Sequence, residues 1–182
     1  TVFMLVADEI DRVLPTIRSR CRLIRAGAPT REQSLEWLKS QGVQEAERKL
    51  TEAGGMPLAV FDEDARFRLS DEMRERFLAY LKLGRAAPPA QALSVADKDV
   101  TLSAAALFLS RWGWDLASAK VGCDPQYFPE FAEEIKAIAQ AASPTGLYTW
   151  INSVRDIRRV SEHPLNAKTM IEALLISYAR NI

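Results

Sequence analysis

Several residue types that carry chemistry are scarce in this chain of 182 residues. Its two cysteines, Cys21 and Cys123, form no CxxC pair, so they supply neither a zinc ligand set nor a disulfide framework. His163 is the only histidine in the sequence, which excludes His-rich metal sites and most catalytic arrangements built on imidazole. The sequence therefore predicts no metal site and no catalytic centre in the chain itself. So few cysteines also favour a reduced, cytoplasmic location.

An excess of charge of one sign and a long apolar run are also missing. The 24 Lys and Arg residues balance 24 Asp and Glu residues, which argues against a free-standing basic DNA-binding domain. The apolar run at 104–109 is far shorter than the roughly 20 residues that span a bilayer, so we expect no membrane segment. Because the chain opens on Thr1 inside an apolar segment, we expect it to be a piece of a longer protein.

Apolar residues make up 48% of the sequence, which is enough to build a core, and their spacing predicts a mainly α fold. Two short segments are the exceptions: the apolar run 2–7 is expected to form a buried strand, and residues 21–25 a second strand. After residue 28 no segment alternates like a strand. Short helices are predicted up to about residue 64, with one ending at Gly54-Gly55. Longer helices are predicted from residue 65 onward.

Polar residues at the starts of the longer helices have the character of N-caps. They are Ser70, Ser143 and Asn166. Between these helices, the apolar segment 100–109 indicates a central, buried helix. Three of the four tryptophans are interpreted as core or interface residues of the longer helices rather than as platforms on which bases stack. They are Trp112, Trp114 and Trp150. The apolar faces of the last two helices are a candidate surface for a partner.

The carboxylate groups and the single histidine give weaker signals. Asp8, Glu9 and Asp11 fall in the first turn of a predicted helix, where negative charge is stabilising without any catalytic role. The pair at 133–134 is expected on a polar helix face, and His163 in a loop.

Arginine is concentrated in one window of the sequence. Residues 12–25 contain five arginines and no acidic residue. One interpretation is a solvated helix face. The other is an anion site for a nucleotide phosphate or a nucleic-acid backbone, because the planar guanidinium can bind two oxygens at once. The residues alone leave both interpretations open.

A wider stretch around this window resembles a known family. Residues 3–21, FMLVADEIDRVLPTIRSRC, resemble the strand–helix–Ser-Arg-Cys segment of AAA+ clamp-loader subunits of bacterial DNA polymerase III. The likeness is most specific at 14–23, LPTIRSRCRL. It extends to the Trp-Leu pair at 37–38 and to the Glu-Ala-Leu-Leu sequence at 172–175, and it is loosest between about 85 and 140.

The resemblance implies three parts and a role for one arginine. Residues 1–27 would be the end of an AAA+ α/β core, 28–64 a small three-helix lid, and 65–182 a helical collar for oligomerisation. Arg20, in the motif Ser19-Arg20-Cys21, would act in trans as an arginine finger on ATP bound to a neighbouring subunit. Because no histidine lies near Cys21 in the sequence, we expect this thiol to pack in a core rather than to act as a nucleophile.

Two departures from the family pattern bear on activity. ATP-hydrolysing relatives carry a polar sensor residue where this chain has Ala7 and a phosphate-sensing arginine at or near Pro57. Neither alanine nor proline can bind a phosphate through its side chain. The resemblance therefore implies a scaffold subunit without catalytic activity or cofactor of its own, which assembles the loader ring.

The partners expected from this resemblance are ATPase subunits and a delta-like subunit, with the sliding clamp and primer-template DNA as indirect partners. Two alternatives stay open. The chain could belong to an ATP-hydrolysing loader subunit whose P-loop lies upstream, or it could be a helical adaptor without any nucleotide role.

Overall fold

The computed structural model describes residues 2–7, 10–61, 68–96, 100–163 and 166–182, with every side chain in these ranges except that of Arg12. Its helical content is 67%, and the described residues contain no strand, which confirms the prediction of a mainly α fold. The α-helices in this part of the chain are α1 Pro15–Arg18, α2 Arg31–Ser40, α3 Ala46–Glu52, α4 Asp71–Leu81, α5 Pro89–Val95, α6 Leu102–Lys120, α7 Ala132–Ala141, α8 Pro144–Val160 and α9 Ala167–Asn181.

The chain divides into two compact units, residues 1–30 and 31–182. The second unit thus includes both the segment expected to form a lid and the segment expected to form a collar. The boundaries expected after residues 27 and 64 stay predictions. None of the helices in the described ranges has the length and apolar character that crossing a membrane requires.

Both predicted strands of the first unit are wrong. Residues 2–7 have no regular structure and are exposed, Val2 by 96% and Phe3 by 84%. Residues 21–25 are likewise irregular and exposed. A strand needs a neighbour for its backbone N–H and C=O groups, and the described residues supply none. The structured part of this unit is a 3₁₀ turn, Ile10–Arg12, followed by α1.

Helices α2 and α3 share a small apolar cluster formed by Leu38, Ala46 and Leu50. As the sequence predicts, α3 stops before Gly54 and Gly55, which both have a positive φ that suits glycine. A 3₁₀ turn, Leu58–Phe61, stands where a third short helix was expected.

The main core lies among helices α4 to α9, and the polar groups of its buried tryptophans and tyrosines are hydrogen-bonded. The Trp112 indole N–H donates to the Tyr178 hydroxyl at 3.2 Å, and that hydroxyl donates to the Leu81 carbonyl at 2.7 Å. The Trp150 indole N–H donates to the Leu174 carbonyl at 3.0 Å. Burying an aromatic ring whose polar tip keeps a partner avoids the penalty for an unsatisfied donor. Trp112 and Trp150 are therefore core residues, as predicted.

The predicted caps are confirmed. Ser70, Ser143 and Asn166 each accept a hydrogen bond from the backbone N–H three residues further on. Helix α5 was not predicted, because its proline, alanine and serine residues give little apolar periodicity. Its buried residues, Ala92 and Val95, face the main core.

The apolar faces of the last two helices are buried in the chain's own core. The buried residues are Leu147, Trp150 and Val154 on α8 and Ile171, Leu174, Leu175, Tyr178 and Ala179 on α9. The expectation that these faces form a partner surface is therefore wrong for these residues, because they already contact one another and α6.

A buried carboxylate on α6 holds the loop that follows this helix. Asp115 is 0% exposed. One carboxylate oxygen accepts from the backbone N–H of Gln126 at 2.9 Å and of Tyr127 at 3.2 Å; the other accepts from Tyr127 at 3.0 Å and Phe128 at 2.8 Å. Burial raises the pKa of Asp115, and the three backbone donors oppose that rise.

The loop held by Asp115 also contacts the end of α3. The Gln126 side-chain amide donates to the Gly54 carbonyl at 2.7 Å. The Tyr127 ring lies so near that a Cβ built on Gly54 would stand 2.6 Å from it, so only glycine fits. The loop therefore joins the α2–α3 segment to the longer helices.

Replacing Asp115 with Asn should lower the free energy of unfolding by about 2–4 kcal/mol, because the amide group would point N–H donors at backbone N–H donors. Urea unfolding followed by circular dichroism measures this change. The matched control is Asp124→Asn, which removes an exposed carboxylate that pairs with Lys136 at 2.9 Å and should cost less than about 1 kcal/mol. Equal losses in the two variants would show that Asp115 does not organise the loop.

Candidate functional site

The Ser-Arg-Cys motif lies in the turn that ends helix α1. Pro15 occupies the first turn of this helix, where its missing N–H costs no hydrogen bond. The backbone N–H of Ser19 donates to the Pro15 carbonyl at 2.9 Å, and that of Arg20 donates to Ile17 at 3.0 Å. The backbone N–H of Cys21 closes the turn by donating to Arg18 at 3.3 Å. The Leu-Pro-Thr-Ile lead-in thus places the motif at a helix end.

The side chain of Arg20 is exposed and only partly engaged. One guanidinium nitrogen donates to the Thr16 carbonyl at 2.9 Å, and the Ser19 hydroxyl donates to the same oxygen at 3.2 Å. Among the described residues, no carboxylate lies within ion-pair distance of Arg20. Since a guanidinium has five N–H donors, most of them are available to an external acceptor.

The neighbouring arginines are exposed as well. Arg18 lies 3.6 Å from an Asp11 carboxylate oxygen, whereas Arg22 and Arg25 have no carboxylate partner in the described ranges. The side chain of Arg12 and residues 8–9 lie outside the described part. Of the three carboxylates expected in the first turn of a helix, the structure therefore describes only Asp11. This geometry agrees with both earlier interpretations of the window, a solvated face and an anion site.

Other predicted residues fall in different places. Cys21 is exposed, so the expectation that it packs in a core is wrong. Ala7 lies in the exposed segment 2–7, and Pro57 stands just before the 3₁₀ turn at 58–61. Both positions present a side chain without polar atoms, and their interpretation as degenerate sensors stays a prediction.

The remaining candidates show no chemistry of their own. Glu133 and Glu134 are exposed in the first turn of α7, and His163 is exposed in a bend. Trp114 is 59% exposed, unlike Trp112 and Trp150, which are buried. Within the described ranges, no group of three or more His, Cys, Asp or Glu side chains could hold a metal ion.

Two charged residues of α6 were not identified as important from the sequence. Asp115 and Arg111 interrupt a helix that is otherwise largely apolar, and a charged residue in such a helix must find a partner or a route to solvent. That interruption was the available signal, but the sequence cannot show which groups the two side chains meet.

No protein-family model and no curated protein matches the chain. The functional assignment therefore rests on the motif at 14–23 and on the structure around it.

Both cysteines should react rapidly with a thiol reagent in the folded protein, because both are exposed. Titration with Ellman's reagent under native conditions should modify Cys21 and Cys123 about as fast as in urea. The variants Cys21→Ala and Cys123→Ala should each lose one of the two fast phases. A thiol of Cys21 that reacts only after unfolding would contradict its exposed position.

Proposed function

We propose that the chain belongs to a clamp-loader subunit of the delta-prime type from bacterial DNA polymerase III. In this proposal it is a scaffold that does not hydrolyse ATP itself, and Arg20 serves the ATP site of a neighbouring subunit. The observation that carries the proposal is the segment 14–23. Its sequence resembles the family's finger motif, and its arginine is exposed at a helix end without a described carboxylate partner.

The chemistry asked of Arg20 suits a guanidinium in this position. During ATP hydrolysis, negative charge is spread over the oxygens of the transferred phosphoryl group. A permanently charged, planar donor can contact two of these oxygens at once. The hydrogen bond from Arg20 to the Thr16 carbonyl restricts the side chain, while the other guanidinium N–H groups stay available to the phosphate. The finger therefore needs no proton transfer and no base from this chain.

Ala7 and Pro57 support the non-hydrolysing assignment. A subunit that hydrolyses its own ATP needs polar side chains that sense the γ-phosphate, and these two residues offer none. On this proposal ATP is the neighbour's substrate, and the described part of this chain has no nucleotide-dependent step of its own.

Assembly of the loader ring would use side chains that the chain's own core does not cover. Trp114 on α6 is 59% exposed, and Tyr148 on α8 is 54% exposed. Aromatic residues are enriched in protein interfaces, where their large surface is removed from water. ATPase and delta-like subunits would be the direct partners in the cytoplasm. The sliding clamp and primer-template DNA would be met through the assembled loader.

Arg20→Ala should reduce single-turnover ATP hydrolysis at the neighbouring site about 10³-fold, because the charge on the γ-phosphate loses its donor. The measurement uses the protein that contains residues 1–182, assembled with the clamp-loader subunits of its own source. Arg20→Lys should recover only part of the rate, since an ammonium cannot contact two oxygens in a fixed plane. The matched control, Arg25→Ala, removes an exposed arginine outside the motif and should leave the rate unchanged.

Two results would contradict the proposal. A loader that contains Arg20→Ala and hydrolyses ATP at the normal rate would favour the adaptor without a nucleotide role. ATP hydrolysis by the purified subunit alone would favour the ATP-hydrolysing alternative. Gel filtration should show an intact ring with Arg20→Ala, because the residue acts on phosphate rather than on assembly.

The double variant Trp114→Ser, Tyr148→Ser should bind the ATPase subunits about 10-fold or more weakly, because two aromatic contacts would be lost. Isothermal titration calorimetry measures the affinity, and thermal unfolding checks that the fold is kept. An unchanged affinity would show that the ring is held by another surface.

A further inference from the structure

The second unit contains a cavity that the proposed function does not use. Its volume is about 550 Å³, within the range of small-molecule sites. Apolar residues form part of its wall, among them Val60, Leu107 and Phe108. The cationic residues that line it are Arg48, Lys49, Arg68, Arg74, Arg111 and Arg158. Three carboxylates, those of Glu45, Glu52 and Asp71, also line it, so the wall combines apolar residues with more cationic than acidic side chains.

Carboxylates neutralise two of these arginines. Arg48 contacts Glu52 at 3.0 Å, Asp71 at 3.0 Å and Glu45 at 3.4 Å. Arg74 lies 3.0 Å from a carboxylate oxygen of Glu130, a residue outside the cavity wall.

The other three arginines lack such a partner. In the described ranges, no carboxylate oxygen lies within 4.0 Å of Arg68, Arg111 or Arg158. Arg68 and Arg158 are exposed, so water solvates their charges. Arg111 is only partly accessible, which leaves its charge less well solvated.

The surroundings of Arg111 show why this charge is unusual. Burial lowers the pKa of Arg111, and the like charge of Arg158 lowers it further, while Tyr127 and Glu52 act in the opposite direction. Glu52 is already bonded to Arg48. The Tyr127 ring lies 5.6 Å from the guanidinium carbon, a cation–π contact that offsets only part of the lost solvation.

We propose that this cavity binds the phosphate group of a small phosphorylated molecule, with Arg111 as the inner donor and Arg68 and Arg158 at the solvent-exposed side. An anion between the arginines would supply the counter-charge that the described residues lack. A guanidinium donates two parallel hydrogen bonds to a phosphate, which favours phosphate over a chloride ion. The rest of the ligand would contact the apolar wall at Leu107 and Phe108.

This site is separate from the proposed function. It uses residues of the second unit, whereas Arg20 lies in the first unit and is proposed to act on ATP held by another subunit. Either proposal can therefore fail without the other.

Calorimetric titration of the 182-residue chain with inorganic pyrophosphate tests the site. Saturable binding at one site per chain is expected. Arg158→Gln and Arg111→Met should each weaken it about 10-fold or more, because each removes charge-assisted hydrogen bonds. Arg158 is exposed, so Arg158→Gln should fold normally even if Arg111→Met does not.

Two control variants separate a built site from general positive charge. Arg155→Gln removes the same charge from the same helix at a position outside the cavity wall, and binding should stay unchanged. Arg180→Gln, at an exposed position that also lies outside the cavity wall, should bind pyrophosphate normally as well. If either control weakens binding as much as Arg158→Gln, the cavity is not the site.

Two further probes identify the ligand class. Orthophosphate and AMP should both compete with pyrophosphate, and tighter binding of AMP would show that the apolar wall contacts the organic part. The proposal is overturned if none of the three probes binds with a Kd below about 5 mM, because a larger Kd is too weak for a specific site.

Discussion

The buried carboxylate of Asp115 is the interaction on which the second unit depends. Its two oxygens satisfy three consecutive backbone N–H groups at 126–128, in a loop that would otherwise hide unpaired donors. That loop in turn touches Gly54 and Arg111. One charged residue on a largely apolar helix thereby holds the loop that contacts both the end of α3 and the cavity residue Arg111. The cost of burying the charge is offset by hydrogen bonds that no apolar residue could replace.

Both proposed sites depend on the positive charge of arginine. The chain has no net charge, yet arginines without a described carboxylate partner occur both around Arg20 and beside the cavity. The two settings differ physically. The Arg20 guanidinium is exposed at a helix end and can reach another molecule. Arg111 is partly buried and can act only on a ligand that enters the cavity. The exposure of Arg20 and the partial burial of Arg111 therefore fit the two proposed roles, one on a neighbouring subunit and one inside the chain's own cavity.

Local signals in the sequence predicted much of the helical structure. The caps at Ser70, Ser143 and Asn166 follow from a short side-chain oxygen next to an apolar periodic segment, a pattern that acts over one turn. The strand expected at 2–7 failed because a strand depends on a neighbour distant in sequence, and apolar composition cannot supply one. Helix α5 was missed for the opposite reason. Its small residues are buried by tertiary packing rather than marked by a strong period.

The sequence by itself determined the helical class, the caps, the core tryptophans at 112 and 150 and the concentration of arginines around Arg20. These features depend on residue type and on spacing within a few positions. The tertiary structure alone decided that Asp115 accepts from the loop at 126–128, that Trp114 faces solvent and that Arg111 and Arg158 share a cavity. Each of these depends on groups brought together from distant parts of the chain, and the free energy of a charge follows from its neighbours in space.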